Sequence, residues 1–220
     1  EILDCDIVTV HVPLTKEGED ATYHLVDDAF LRRMKPGSVL INSARGAVAD
    51  GNALKQALLD GHLKACVLDV WEGEPVVDLA LLDRVFIGTP HIAGYSFDGK
   101  VNGTRQIYEA ACAFLGMEPA WDPSPLLPAP ECPEVRVDGK AEDAEAALRG
   151  AVRNVYDIRS DDKAMRGLFD AVEADRGAFF DKLRKNYPRR REFFNTRAVI
   201  NPGNPELEAM FSGVGFRCEE

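Results

Sequence analysis

Arg45, Glu74 and His91 are the residues of this chain whose types combine most directly into a reaction. An imidazole beside a carboxylate serves as a general base near neutral pH, because the carboxylate favours the imidazolium and orients the ring. A guanidinium clamps a substrate carboxylate through two parallel hydrogen bonds. Together they suit removal of the hydroxyl proton of a 2-hydroxy acid while a hydride leaves to a nicotinamide, since no side chain accepts hydride. Read singly, each has a plainer explanation. His91, in GTPHIAGYS (Gly88 to Ser96), also reads as a turn histidine; Glu74, before Pro75, as a solvated loop carboxylate; Arg45 as a surface partner of Asp50. Asp69 is harder to dismiss, because a carboxylate ending a buried strand needs a partner. His11 reads equally as a packed strand-end residue.

What links these residues is the set of elements that must carry them. Apolar runs rich in β-branched residues predict strands over Asp6–Val12, Ser38–Asn42, Ala65–Asp69 and Val85–Ile87. Helical patterns intervene at Asp27–Met34, at about Gly51–Leu59 behind the capping Asp50, and at Asp78–Asp83. Strands alternating with helices imply a parallel sheet covered on both faces. A short motif follows each strand: HVPLT (His11 to Thr15), SARG (Ser43 to Gly46), DVWEGEP (Asp69 to Pro75) and TPHIAG (Thr89 to Gly94). In a parallel sheet all four strand ends share one edge, and ligands of open α/β sheets bind at that carboxyl edge. Arg45, Glu74 and His91 are therefore expected to converge on one cleft.

The chain continues with a helical stripe over Phe97–Leu115, carrying Val101, Ile107, Ala111 and Phe114. The segment from Met117 to Glu134 holds six of the 13 prolines (Pro119, Pro123, Pro125, Pro128, Pro130 and Pro133) and predicts an extended arm. Beyond it, strands at Val135–Val137 and Arg197–Ile200 are expected, with helices at about Ala141–Tyr156, Asp162–Val172, Gly177–Lys185 and Pro205–Phe211. The expected organisation is 1–96 as part of a nucleotide-binding domain, 97–117 as a connecting helix, 118–134 as a linker and 135–220 as a small α+β unit.

Bulk composition excludes other classes. With 26 basic and 37 acidic residues the net charge is −11, which lacks the positive field that nucleic acid or an anionic membrane requires. The basic run Lys182–Arg191 then reads as a helix pairing with acidic partners, across a dimer for example. No apolar run approaches the ~20 residues of a membrane span. The five cysteines form no C-x-x-C pair and no zinc spacing, which predicts free thiols, no metal site and a reducing cytoplasm.

The series HVPLT, N-x-x-RG, D-V-x-x-x-EP and TPHIAG, in this order and spacing, resembles the D-isomer-specific 2-hydroxyacid dehydrogenase family over residues 1 to about 117. The resemblance implies a partial Rossmann-type α/β fold and NAD as cofactor. It implies that Arg45 binds the substrate carboxylate, that His91 donates or accepts the proton, and that Glu74 pairs with His91. It places Asp69 at the nicotinamide carboxamide, and Val12, Ser43, Ala44, Arg45 and Gly94 along the cofactor. The HIAGYSFDGK form, with NVYDIRSDD (Asn154 to Asp162) and FDKLRKNYPRRRE (Phe180 to Glu192), resembles a branch of the family with an extra C-terminal dimerisation domain. That branch implies a phosphorylated 2-hydroxy acid substrate, a homodimer and a substrate contact from Tyr95.

Two positions depart from the pattern: Trp71 stands for a Phe or Tyr, and Val12 for the threonine of closer relatives. No G-x-G-x-x-G turn occurs. The resemblance therefore predicts a C-terminal portion of a longer protein that by itself binds NAD poorly and is inactive. Two further readings stay open: a dehydrogenase of glycerate or phosphoglycerate, and a non-catalytic NAD-sensing module, because a fold by itself does not set function.

Overall fold

A computed structural model describes residues 2–218. In chain order its elements are β1 (Ile7–Val10), α1 (Asp28–Arg33), β2 (Ser38–Asn42), α2 (Gly51–Leu59), β3 (Leu63–Leu68), α3 (Leu79–Arg84), β4 (Ile87–Gly88), α4 (Phe97–Leu115), β5 (Glu134–Asp138), α5 (Ala144–Val155), α6 (Ile158–Arg166), α7 (Arg176–Lys185), β6 (Arg197–Asn201) and α8 (Pro205–Val214). They form two compact units. One comprises Glu1–Ala93 with Ile158–Tyr187, the other Gly94–Asp157 with Pro188–Glu220.

The first unit is built on a parallel sheet in the order β1-β2-β3-β4. Its register sets Val10 beside Asn42, Asn42 beside Leu68, and Leu68 beside Gly88, so the four strands end in line. Aspartates start the three intervening helices. Asp27 accepts from Phe30 N, Asp50 from Asn52 N and Ala53 N, and Asp78 from Ala80 N and Leu81 N. Each such cap stabilises by about 1 kcal/mol. Leu40, Cys66, Leu68 and Leu82 close the core beneath the strand ends, each buried Leu contributing roughly 2 kcal/mol. The five cysteines are thiols outside any disulfide, and burial pushes the Cys66 thiol up to about 12.

The fourth strand is shorter and later than its apolar run suggests. Val85 is still tied to α3 through its N–H to Leu81 O, and pairing begins only at Ile87. The free side of this strand is closed by α6. Gly88 N donates to Asp162 Oδ1 at 2.7 Å, and Arg166 donates to Asp162, Leu82 O and Val85 O. Met165, Leu168 and Phe180 enter the same core, fully buried. Residues 158–187 thus fold with the first unit rather than within one unit spanning 135–220. The reason is that the edge of β4 needs a hydrogen-bond partner and these apolar side chains need a core.

The second unit holds α4, the proline-rich arm, the parallel pair β5–β6, α5 and α8. Val135, Val137, Ala151, Ala198, Leu207, Phe211 and Phe216 form its core. Asp98, on α4, is 3% exposed and receives Arg191 Nε at 2.9 Å and Nη2 at 3.0 Å, Glu192 N, and Asn195 Nδ2. Arg191 Nη1 also donates to Pro128 O, which pins the arm. Within this chain Arg191 is therefore satisfied by its own Asp98, and Arg190 lies over the Tyr156 ring. The stripe foreseen on α4 stays open to solvent at Ile107 and Phe114.

Candidate active site

The carboxyl edge of the sheet turns each strand into a loop, and side chains fix the shape of each loop. After β2, buried Asn42 closes the SARG turn: its Oδ1 accepts from Ala44 N at 3.0 Å and its Nδ2 donates to Arg45 O at 3.1 Å. Arg45 is exposed, with Nη1 on Ala44 O at 2.7 Å. Its expected surface partner, Asp50, is engaged instead with the α2 amides. Gly46 follows because a Cβ there would lie 2.1 Å from Trp71 O. That contact seats the arm bearing Arg45 directly against the loop after β3.

The loop after β3 carries Glu74. Trp71 is its pillar: the indole is buried and Nε1 donates to Thr89 O at 2.9 Å. Trp71 N donates to Glu74 Oε2 at 3.2 Å, and Glu74 N returns to Trp71 O. Glu74 Oε1 is left to face His91, and Nδ1 lies 2.5 Å away. The two side chains are 24% and 26% exposed, so the pair is shielded from water yet reachable. His91 holds a left-handed backbone at φ +54, with its N–H on Asp69 O at 2.7 Å. An ionised Glu74 selects the Nδ1–H tautomer and leaves Nε2 as the basic nitrogen for a ligand.

Asp69 acts on this turn from below. It is 7% exposed, and it accepts from Thr89 Oγ1 at 2.6 Å, Ile92 N at 2.8 Å and Ala93 N at 2.9 Å. Three donors satisfy the buried charge and bind the loops after β3 and β4 together. From α7, Arg184 Nε donates to His91 O at 3.4 Å. Val12 is half-buried after β1, and Ser43 and Ala44 lie in the SARG turn. Gly94 (φ +80) and Tyr95 open the second unit, where Lys100 Nζ lies 4.2 Å over the Tyr95 ring.

Asn42, Trp71 and Thr89 position the site without standing among the residues singled out for it. The signal for Asn42 is legible, since an Asn two residues before a turn amide is the pattern of an Asx turn. Nothing local marks Thr89 as a donor to Asp69.

A dinucleotide's nicotinamide end fits this edge. Ser43, Ala44 and Gly46 add little side-chain bulk at this edge, and Asp69 Oδ2, which accepts from Ala93 N, keeps a second lone pair of the kind a carboxamide N–H takes. Residues 2–93 match the family model described as D-isomer specific 2-hydroxyacid dehydrogenase, NAD binding domain. Residues 126–215 match a domain of unknown function (DUF3410). The erythronate-4-phosphate dehydrogenase of Stutzerimonas stutzeri (strain A1501) is 45% identical over 216 residues, covering 98% of this chain and 56% of that protein. That of Pseudomonas fluorescens (strain SBW25) is 46% identical over 218 residues, covering 99% of this chain and 57% of its own. The chain thus spans a little over half the length of the curated relatives it matches. A solved D-mandelate dehydrogenase of Rhodotorula graminis is 40% identical over 46% of this chain and 28% of its own, at a TM-score of 0.41. Over residues 2–93 the chain is thus similar to the NAD-binding domain of the D-isomer specific 2-hydroxyacid dehydrogenases, and along nearly its whole length to part of these erythronate-4-phosphate dehydrogenases.

Proposed function

We propose that this chain supplies the catalytic residues of an NAD-dependent oxidation of erythronate 4-phosphate to the corresponding 2-oxo acid, (R)-3-hydroxy-2-oxo-4-phosphooxybutanoate, a step that serves pyridoxal 5′-phosphate biosynthesis. The observation that carries the reading is the His91–Glu74 pair, held at a strand end beside the arm of Arg45. The names of the homologues supply the substrate.

His91 Nε2 takes the proton of the substrate hydroxyl as general base. Glu74 Oε1 keeps the ring oriented and offsets the positive charge that the ring gains. Arg45 pairs with the substrate carboxylate through its free guanidinium face. Asp69, Val12, Ser43, Ala44 and Gly94 hold the cofactor, and Tyr95 meets the substrate. NAD, when bound, supplies the hydride acceptor that the side chains lack. The site needs no metal of its own. A homodimer formed through the C-terminal domain, in the cytoplasm, completes the reading. Among the described residues no helix is long and apolar enough to cross a membrane.

The test is NADH formation by the full-length protein with erythronate 4-phosphate, D-glycerate and D-3-phosphoglycerate in parallel. Preference for erythronate 4-phosphate, abolished by His91→Ala, is the expected result. Preference for another of the three keeps the chemistry and discards the substrate. Bound NAD without turnover on any of them points to a binding module instead.

A further inference from the structure

Among the described residues, two besides glycines hold a left-handed backbone: His24 at φ +52 and His91 at φ +54. Such conformations are uncommon and persist only where surrounding contacts over-determine them. Both residues are histidines, and both bind a carboxylate of the loop Trp71–Pro75. His91 meets Glu74, while His24 Nε2 lies 2.6 Å from Glu72 Oε1.

We infer that His24 is a positioning residue for the His91–Glu74 couple, acting through Glu72. Glu72 is anchored at both oxygens, Oε1 by His24 and Oε2 by Gly51 N at 3.1 Å. It sits one residue after Trp71, whose amide holds Glu74 Oε2. A shift of Glu72 therefore passes directly into the carboxylate that orients His91. The His24 ring is itself fixed: Tyr23 stacks on it at 4.0 Å and 12°, and Asp50 Oδ2 lies 3.7 Å from Nδ1. His24 also reaches the Arg45 arm, through its backbone, with its N–H on Ala47 O at 2.9 Å. One residue thus ties together the two loops that carry Arg45 and Glu74. The ring governs only the Glu74 side, and a side-chain substitution leaves the backbone tie in place.

That asymmetry sets the test, which rests on the proposed dehydrogenase reading for its kinetic arm alone. In the full-length protein, His24→Ala is expected to lower kcat about tenfold, as a small misplacement of a catalytic group does. KM for the hydroxy acid is expected to stay within about twofold, because Arg45 keeps its place. His24→Gln, whose amide nitrogen occupies the position of Nε2, is expected to restore most of the rate. Independently of turnover, the ring resonances of His91 should move in His24→Ala and return in His24→Gln when followed by NMR. Unmoved His91 resonances together with unchanged kcat overturn the inference. So does a loss in His24→Ala that His24→Gln does not repair. Should the parent protein show no turnover at all, the dehydrogenase reading fails while the NMR comparison still decides the role of His24. Should His24→Ala not fold, Glu72→Gln keeps the shape and the Gly51 contact, and the same two readouts apply.

Discussion

His91 Nδ1 and Glu74 Oε1 lie 2.5 Å apart although 17 residues separate them in the chain. The contact joins the loop after β3 to the loop after β4, and parallel pairing of these strands is what makes it possible. With Nδ1 committed to a carboxylate, the chemistry of the ring falls to Nε2. His91→Ala is expected to lower kcat by about two to four orders of magnitude, the usual worth of a general base. Glu74→Gln keeps the shape and removes the charge, so a smaller loss in kcat with KM nearly unchanged is expected. Steady-state rates of NADH formation for both variants check this.

Arg45 is exposed at the same edge, in a turn held by Asn42. Replacing its planar fork by a point charge removes one of two parallel hydrogen bonds. Arg45→Lys is expected to cost about 2 kcal/mol in kcat/KM, roughly thirtyfold, and mainly through KM. Titrating rate against substrate at saturating NAD separates the two constants.

Gly46 has no space for a side chain, because the added Cβ would stand 2.1 Å from Trp71 O. Both partners are backbone, so neither yields by a rotamer change. Gly46→Ala is expected to destabilise the first unit by about 1–3 kcal/mol and to push the Arg45 arm away from the Glu74 loop. Thermal melting, with activity measured well below the transition, reads both effects.

Asp98 gives the second unit an acid-sensitive joint. Burial alone would raise its carboxyl. Arg191, the Glu192 amide and Asn195 outweigh burial and hold it below its ordinary value. The contribution to folding is therefore fully present above that ordinary value, 3.8, where the folded and unfolded carboxylates are both ionised. The contribution is lost as pH falls through the lower folded value. Denaturant titrations from neutral pH down to about pH 3 should show this loss in the parent protein and not in Asp98→Asn. Arg191→Ala strands the buried carboxylate and is expected to cost about 3–5 kcal/mol at neutral pH.

Much of the fold is legible in the sequence because its signals are local. Asp50 caps a helix over Gly51–Leu59 as its sequence indicates, and the helices expected from Asp27 and Asp78 begin one residue later, each capped by that aspartate. β2 runs over Ser38–Asn42 and α4 over Phe97–Leu115, as the apolar pattern indicates. The start of β4 was less legible, since an apolar Val85 suits the last turn of α3 as well as a strand. The helical stripe on α4 shows a different shortfall. Phe114 repeats with the right period yet is 89% exposed, because periodicity identifies a face and says nothing of what covers it.

By itself, then, the sequence determined the alternation of strands and helices, the common edge to which Arg45, Glu74 and His91 belong, and the types of group gathered there. These follow from capping, periodicity and the parallel topology that alternation enforces. Tertiary structure alone decided that Asp69 spends three hydrogen bonds on the turn of His91, and that His24 reaches Glu72 across 48 residues. It also decided that residues 158–187 close the open side of β4. These are pairings between groups far apart in the chain. Only the packed fold sets their distances, because burial forces each polar group to find a partner that no neighbouring residue supplies.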